Sequence, residues 1–287
     1  MLIALKLKAA ALGVAVMAPI VAASLTPPAG QKIDGTIALA PASFDYRAAG
    51  DFSRDGKPAA NPLHNVRLAN GLVIMKDQVT AAEYARCMAD GACPRIALPS
   101  GSLDVPIVGV NWHDATAYAD WISQRTGIPH RLPTDEEWTF AAAEKARDES
   151  LPLIDPADPA QAWIARYEAE AARAGPEIAA PQPTGTFGVN SRGIADVAGN
   201  VWEWTNSCFL RVSLHGGTER VTNTNCGVRV VEGAHRTYMT DFIRDPKFGG
   251  CAAGVPPSNL GFRLVVDSRQ SVIAEAVRKV SNLMPRL

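Results

Sequence analysis

The sequence has no run of lysine and arginine residues, and its 28 basic and 29 acidic side chains leave a formal net charge of −1. Such a chain lacks the positive patch that attracts a phosphate backbone, so we expect no nucleic-acid partner. It also has no internal repeat and no low-complexity segment. The 287 residues can form one large domain or two small ones, and 23 Gly and 21 Pro indicate much irregular backbone.

The N-terminal residues differ in kind from the rest. Lys6 and Lys8 precede an apolar run over residues 9–23 that is short for a membrane span and ends in small residues, with Val21 and Ala23 as a cleavage signature. We interpret residues 1–23 as a signal peptide, with an uncleaved membrane anchor as the alternative. No cysteine follows at once, which argues against a lipoprotein. The predicted location is periplasmic or secreted, with no stable membrane anchor after cleavage.

Export makes disulfides permissible, because they persist in oxidising compartments. Cys87 and Cys93 flank a short turn, and Cys208 and Cys226 flank a polar excursion. We predict a disulfide within each pair and a free Cys251. A cysteine metal site is disfavoured, because none of the five histidines lies beside a cysteine pair.

Capping signals predict two short helices. Thr80 and Glu83 have the form of a capping box before a helix over residues 81–88. Thr134 and Glu137 repeat this pattern, and the three residues Trp138, Ala141 and Ala142 of the second helix should face the core.

A third helix begins at His113 or Asp114 and is closed by Gly127. The acid beside His113 invites a catalytic interpretation, but an exposed residue at a helix start is favoured. We also predict strands over residues 71–78, 228–231 and 259–266. Residues 148–185 form a predicted insertion that contains a helix at 161–174, and a last helix is predicted over 272–282.

Residues 196–205 contain turn residues followed by two tryptophans. Gly199 and Asn200 accept positive φ at low cost and mark a sharp turn. Trp202 and Trp204 then alternate as in a strand, with Glu203 facing away from both rings. The segment is either a core hairpin anchored by aromatic rings or a calcium site, since Asn200, a backbone carbonyl and Glu203 are hard oxygen ligands.

Four ordered motifs resemble the formylglycine-generating enzyme, or sulfatase-modifying factor, family. They are residues 111–115 (Asn-Trp-His-Asp-Ala), 131–138 (Arg-Leu-Pro-Thr-Asp-Glu-Glu-Trp), 199–204 (Gly-Asn-Val-Trp-Glu-Trp) and 258–263 (Ser-Asn-Leu-Gly-Phe-Arg). The resemblance implies an α+β fold: one irregular domain similar to the C-type lectin fold, with little regular secondary structure. That domain would cover residues 66–266, with a wrapping segment at 24–65 before it and a C-terminal helix within 267–287 after it.

The resemblance also implies a structural calcium ion, held by the Asn200 and Glu203 side chains with a backbone oxygen at Val201. Active family members use two cysteines, five positions apart, to bind copper(I) and oxidise a substrate cysteine to formylglycine. Thiolates suit copper(I). Here no cysteine lies between Cys226 and Cys251. We therefore predict that copper and formylglycine-generating activity are absent.

Five residues occupy the part of the sequence where active family members keep these two cysteines. We predict that they line a substrate or partner groove: His235, Arg236, Tyr238, Asp241 and Arg244. The alternative is an ordinary solvated loop. The resemblance extends to exported accessory proteins associated with copper nitrite reductase. It implies a non-oxidase accessory or maturation factor that binds a polypeptide in the periplasm, with copper nitrite reductase as one partner.

Two further functions belong to other classes. One is a metal-dependent protein-modifying oxidoreductase with a different site, for which His113, His130, His215 and His235 are candidate iron ligands. No two of these histidines have the short spacing that places two ligands on one element. The other is a lectin-like ligand-binding module, because a fold does not determine a function.

Overall fold

The computed structural model describes residues 35–148, 180–246 and 259–267, together with Ile164 and Glu168. Several predictions fall outside these residues: the signal peptide over 1–23, Cys251, the C-terminal helix over 272–282 and most of the insertion over 148–185. Ile164 and Glu168, within the helix predicted over 161–174, are both helical.

The first sheet has four strands in the order β1, β6, β12 and β7. They span Thr36–Leu39 (β1), Leu72–Met75 (β6), Val265–Val266 (β12) and His130–Arg131 (β7). β6 confirms the strand predicted over residues 71–78 in a shorter form. β1 pairs with β6 throughout its length, so the segment predicted to wrap the domain contributes a strand to this sheet.

The second sheet is built on a long antiparallel hairpin. Its main strands, in sheet order, span Arg236–Thr240 (β10), Thr218–Glu232 (β9), Trp202–His215 (β8), Asp51–Arg54 (β3) and Lys57–Pro58 (β4). Leu260–Gly261 (β11) pairs with β8 in parallel. The polar excursion expected after Cys208 is thus part of two strands, because cross-strand hydrogen bonds satisfy the backbone while the polar side chains remain in solvent.

A two-stranded third sheet joins Ala42–Arg47 (β2) to Leu63–Leu68 (β5). Three α-helices have both ends within the described residues: Ala81–Ala89 (α1), Trp112–Thr126 (α2) and Asp135–Ala142 (α3), the last followed by a short 3-10 helix, Ala143–Lys145. Together they form a mixed α+β single domain, which confirms the predicted fold class.

Capping motifs in the sequence correctly predicted the first residue of two of the three helices. α1 and α3 begin after Thr80 and Thr134, and both capping boxes form as predicted. α2 begins earlier than predicted, because Asn111 caps it by accepting from the Asp114 amide while the Asp114 carboxylate bonds the Asn111 amide. Gly127 ends α2 with φ of 70°, a left-handed conformation that favours glycine.

The final predicted strand is divided in the structure. Residues 259–266 contain β11 and β12, which belong to different sheets, with Phe262 and Leu264 between them in the core. A continuous strand would leave these residues on one sheet. Crossing from the second sheet to the first instead lets Phe262 and Leu264 accept backbone hydrogen bonds from Val79 and Met75.

Two apolar clusters form most of the core. The larger packs α1 and α2 against Trp204, Met239 and Phe262, and the second packs Trp138 of α3 against Ile74 and other residues of the first sheet. Trp138, Ala141 and Ala142 are all buried, as predicted. Within the described residues, no helix is long and apolar enough to cross a membrane.

Candidate functional site

Glu203 forms a fully buried ion pair with Arg263. Arg263 donates from Nε to Oε2 and from Nη2 to Oε1 of Glu203, both at 2.6 Å. Trp138 Nε1 donates to Oε2 at 2.9 Å, and Gln78 Nε2 donates to Oε1 at 2.7 Å. Each carboxylate oxygen thus accepts hydrogen bonds from two N–H groups. Glu203 on β8 is therefore connected to α3 through Trp138, to the segment after β6 through Gln78, and to the segment between β11 and β12 through Arg263. Trp202 and Trp204 both pack on the opposite, apolar side, as the strand pattern predicts.

The predicted calcium ligands are engaged in the same way. The side chain of Asn200 accepts from the Gln182 amide at 2.9 Å and donates to the Gln182 carbonyl at 2.8 Å, and Val201 is buried beside it. An ion at Glu203 would have to displace Arg263 or Trp138. The residues as arranged therefore do not fit a calcium ion. The ion itself stays a prediction, and no role is derived from it.

A second buried cluster surrounds Arg236. Its Nε donates to Asp135 at 3.0 Å and to Glu232 at 2.8 Å, and its Nη1 donates to the carbonyl of Arg47 at 2.7 Å. The hydroxyl of Tyr46 donates to Asp135 at 2.5 Å. The two buried carboxyl groups therefore share one buried guanidinium, and the half-buried Tyr46 bonds one of them, Asp135.

The charges of this cluster determine where a proton is held. Burial raises the pKa of Glu232 well above its usual value; Arg236 opposes this effect, and Asp135 reinforces it. Burial alone would lower the pKa of Arg236, but Asp135 and Glu232 outweigh burial and raise it. Burial, followed by the charge of Asp135, raises the pKa of Tyr46. The surroundings thus favour the protonated form of Glu232 and the charged form of Arg236.

The five residues predicted to line one groove occupy several places. His235 packs edge-on against Trp202 with ring centroids 4.7 Å apart, and its Nδ1 lies 2.9 Å from the carbonyl oxygen of Arg236. Tyr238 accepts from the Gly50 amide at 2.7 Å and packs against Phe209. All three of His235, Arg236 and Tyr238 are buried. Arg236 also borders a cavity of about 290 Å³ between the third sheet and α3.

Asp241 and Arg244, by contrast, lie at the start of α2. Arg244 binds Asp114 through two hydrogen bonds of 2.7 and 2.9 Å, and the Trp112 amide donates to the carbonyl of Asp241 at 3.0 Å. The segment after β10 is therefore fixed to the first turn of α2. The structure brings Asp241 and Arg244 together and separates them from the other three groove candidates.

This contact creates a surface that we call the α2 amino-terminal surface, defined by Trp112, His113, Arg229, Asp241 and Phe242. His113 Nε2 lies 3.3 Å from Asp241 Oδ2. The guanidinium of Arg229 covers the Trp112 ring at 3.8 Å, and Phe242 is 65% exposed. The surface thus combines an exposed aromatic ring, a half-buried tryptophan and an arginine, and aromatic and arginine side chains dominate binding hot spots.

Three of these surface residues were not selected from the sequence. Trp112 belongs to the motif at 111–115, so a signal was available, but its role depends on Arg229 from β9 lying above its ring. Phe242 has no periodic pattern that would mark it as exposed. The candidate iron ligands His113, His130, His215 and His235 lie on α2, on β7, at the end of β8 and after β9. Among the described residues, no group of three or more His, Cys, Asp or Glu side chains could hold a metal ion.

Both predicted disulfides are confirmed. Cys87 bonds Cys93 across the turn after α1, and Cys208 bonds Cys226 across the β8–β9 hairpin. The first is buried in the larger core cluster, whereas Cys208 is half-buried and Cys226 is exposed.

Comparison with known proteins decides the family. The sequence profile of the family described as "Sulfatase-modifying factor enzyme 1-like domain" matches residues 22–268. The chain belongs to this family. A mouse protein named "Inactive C-alpha-formylglycine-generating enzyme 2" is 30% identical over 166 residues, which cover 56% of this chain and 49% of that protein. The formylglycine-generating enzyme of Streptomyces coelicolor is 29% identical over 187 residues, which cover 59% of this chain and 55% of that enzyme.

The chain thus spans about half the length of the curated relatives it matches. Among solved structures, PvdO from Pseudomonas aeruginosa is similar, with 18% identity and a TM-score of 0.49, over 80% of this chain and 93% of that one. The sheets and helices described above are consistent with the formylglycine-generating enzyme fold, which resembles that of C-type lectins.

The copper chemistry of active sulfatase-modifying factors requires a pair of thiolates. In this family member the four described cysteines are joined in disulfides, and residues 227–250 contain no cysteine. Disulfide sulfurs lack the negative charge that makes a thiolate a strong ligand for copper(I). These residues do not fit the family's copper site, and the absence of copper stays a prediction.

Proposed function

We propose that this sulfatase-modifying-factor-like protein is an exported accessory factor that binds a polypeptide at the α2 amino-terminal surface and does not generate formylglycine. One observation carries the proposal. The segment from β10 to residue 250, in which the resemblance places the thiolate pair, contains no cysteine and presents Asp241 and Phe242 at the start of α2. The name of the mouse relative, an inactive enzyme, supports a non-oxidase role.

The geometry of this surface supports binding more than chemistry. Asn111 Nδ2 donates to the carbonyl of Phe242 at 3.2 Å, and the Trp112 amide bonds Asp241, so the exposed ring of Phe242 is presented by a fixed backbone. A fixed apolar anchor loses little conformational entropy when it binds. Arg229 above Trp112 and Asp241 beside His113 add charges of both signs to the rim.

The partner in this proposal is an exported enzyme, with copper nitrite reductase as the specific candidate. This choice rests on the resemblance to accessory proteins of that enzyme. A polypeptide partner of this kind would be recognised in an extended or incompletely folded state, where apolar and aromatic side chains are available to Phe242 and Trp112.

The activity is tested first. The full chain is incubated with copper, oxygen and a peptide bearing the sulfatase cysteine motif, and the peptide is analysed by mass spectrometry for the aldehyde. We expect no formylglycine. Oxygen-dependent aldehyde formation would show that the proposal is wrong.

Binding is tested by measuring the affinity of the chain for apo copper nitrite reductase. We expect Phe242→Ser to weaken binding by roughly tenfold, the effect of losing a central apolar contact. Leu63→Ser is the matched control, because Leu63 is 52% exposed on the third sheet, away from this surface. Equal affinities for the two variants would reject the assigned surface, and absence of binding would reject nitrite reductase as the partner.

A further inference from the structure

We infer that the Cys208–Cys226 disulfide is a thiol–disulfide exchange site for cysteine thiols, with Cys226 as the sulfur attacked and Cys208 as the leaving group. The inference goes beyond the proposed function. It rests on that function in one respect, namely that the reacting thiols belong to a polypeptide bound at the docking surface. Exchange with a small thiol does not depend on such a surface.

The first observation is the position of the bond. Cys208 on β8 lies opposite Arg229 of β9 in the sheet register, and the disulfide bridges the two strands of the hairpin. Cys226 is exposed to solvent, whereas Cys208 is half-buried. An approaching thiolate therefore meets the sulfur of Cys226 first, and accessibility is one factor that sets the rate of exchange.

The second observation is a cation beside the other sulfur. Nη1 of Arg229 donates to Sγ of Cys208 at 3.4 Å. The guanidinium is held there by the Trp112 ring and by the carbonyl of Asn206, to which Nη1 also donates at 3.1 Å. Its buried Nε has no hydrogen-bond partner among the described residues. A positive charge at this distance stabilises a thiolate on Cys208, and a thiol of lower pKa is the better leaving group.

The Cys87–Cys93 disulfide, by contrast, has the surroundings of a structural disulfide. Cys87 is 0% exposed and Cys93 is 5% exposed, and both belong to the larger core cluster. Among the described residues, no side-chain N–H donates to either sulfur. The two disulfides therefore differ in both accessibility and the charge beside them.

The exchange proceeds in two balanced steps. A substrate thiolate attacks Sγ of Cys226, a mixed disulfide forms, and the Cys208–Cys226 bond breaks with its electron pair on Cys208, beside Arg229. A second substrate thiolate then attacks the mixed disulfide at the substrate sulfur and releases Cys226. Two substrate thiols are oxidised to a disulfide, and the protein disulfide is reduced to two thiols, which take up the two substrate protons. Glutathione disulfide, as external oxidant, restores the protein bond for another turnover.

The first test compares the two disulfides within one protein. The full chain carrying Cys251→Ser is equilibrated with mixtures of reduced and oxidised glutathione, quenched, alkylated and mapped by mass spectrometry, while circular dichroism reports folding. We expect Cys208 and Cys226 to be alkylated at glutathione ratios that leave Cys87 and Cys93 bridged, with the fold intact. Opening of both bonds together, or only on unfolding, would overturn the inference.

The second test addresses Arg229. We expect Arg229→Gln to slow exchange with reduced glutathione by roughly three- to tenfold, as the leaving thiol becomes less acidic, and Arg229→Lys to restore much of the rate. Arg211→Gln is the control, because Arg211 is exposed on the same strand as Cys208 and does not contact the disulfide. Equal rates for the two glutamine variants would remove Arg229 from the site.

The third test stays informative if Arg229 variants do not fold. The rate of alkylation against pH gives the thiol pKa of Cys208 in Cys226→Ser and of Cys226 in Cys208→Ser. We expect the lower pKa at Cys208, because Arg229 lies beside it. The reverse order would overturn the assignment of Cys208 as the leaving group.

Discussion

Arg263 and Arg236 are both buried in this domain, at 0% and 2% exposure, but their charges are balanced differently. Arg263 faces one carboxylate, Glu203, whose oxygens also accept from Trp138 and Gln78. Arg236 faces two carboxyl groups, Asp135 and Glu232, and burial raises the pKa of Glu232, which favours its neutral form. The first site is a complete ion pair, and the second combines an ion pair with a neutral acid.

The comparison teaches that charge count decides how a buried polar cluster responds to pH and to mutation. Removing one partner of an isolated buried pair leaves the other charge without compensation, which is strongly destabilising. Neutralising the acid that is already protonated removes no charge. Two substitutions of the same chemical type, glutamate to glutamine, should therefore have unequal effects.

Glu203→Gln should have the largest effect. It leaves Arg263 buried with no counterion, and we expect a loss of about 3–5 kcal/mol in the free energy of unfolding. Urea denaturation followed by tryptophan fluorescence measures it. Glu219→Gln is the control, because Glu219 is an exposed partner of His64 and should change stability by less than about 1 kcal/mol. A loss below that of the control would contradict the central role of the Glu203–Arg263 pair.

Tyr46→Phe should have an intermediate effect. It removes the hydroxyl that donates to Asp135 at 2.5 Å, and hydrogen bonds to charged groups contribute about 1.5–3 kcal/mol. The same denaturation experiment measures the change. Tyr238→Phe loses a hydroxyl that accepts from a neutral backbone amide, so we expect a loss of about 1 kcal/mol there. The reverse order of the two variants would show that the Tyr46–Asp135 hydrogen bond is not the stronger of the two.

Glu232→Gln should have a small effect that depends on pH. Its amide can accept from Arg236 and donate to Asp135, so at pH 5 we expect stability within about 1 kcal/mol of the unchanged protein. The folded-state pKa of Glu232 is raised, so its contribution is fully present below the unfolded-state pKa and is lost as pH rises towards the folded-state value.

Glutamine has no such pH dependence. The stability of Glu232→Gln relative to the unchanged protein should therefore increase between pH 5 and pH 8, by at most about 1.4 kcal/mol per pH unit. Thermal or urea unfolding at several pH values measures this difference. A constant difference, or one that decreases with pH, would show that Glu232 does not hold a proton in the folded protein.

Phe242→Ser should have the smallest effect on stability, within about 0.5 kcal/mol, because its ring is 65% exposed. Unlike the buried residues above, Phe242 should alter the affinity for the partner while leaving the free energy of unfolding nearly unchanged. Denaturation and binding are measured on the same preparation. A loss of several kcal/mol would place Phe242 in the folded core instead of on a binding surface.

Local sequence rules predicted much of the fold. The capping boxes at Thr80 and Thr134, the end of α2 at Gly127 and both disulfide pairings are confirmed, because each depends on residues a few positions apart or on a hairpin that brings them together. The alternation around Trp202 and Trp204 is also confirmed. Glu203 faced away from the rings as predicted, but the sequence did not reveal that this other side is equally buried.

The candidate site was less predictable, because its residues come from distant segments. His235, Arg236 and Tyr238 were grouped with Asp241 and Arg244 by proximity in the sequence, yet the end of β10 directs the two sets to different parts of the domain. Asp135 and Arg236 are 101 positions apart, and no local pattern pairs them.

The sequence by itself determined the family, the α+β class, the starts of α1 and α3, the disulfide partners and the lack of a cysteine pair after β10. These depend on residue identity and short-range geometry. Only the tertiary structure decided which carboxylate faces which arginine, and that Arg229 lies between Trp112 and the sulfur of Cys208. The physical reason is that charge–charge and cation–sulfur interactions depend on distance in space and on burial, and both are set by how remote strands pack.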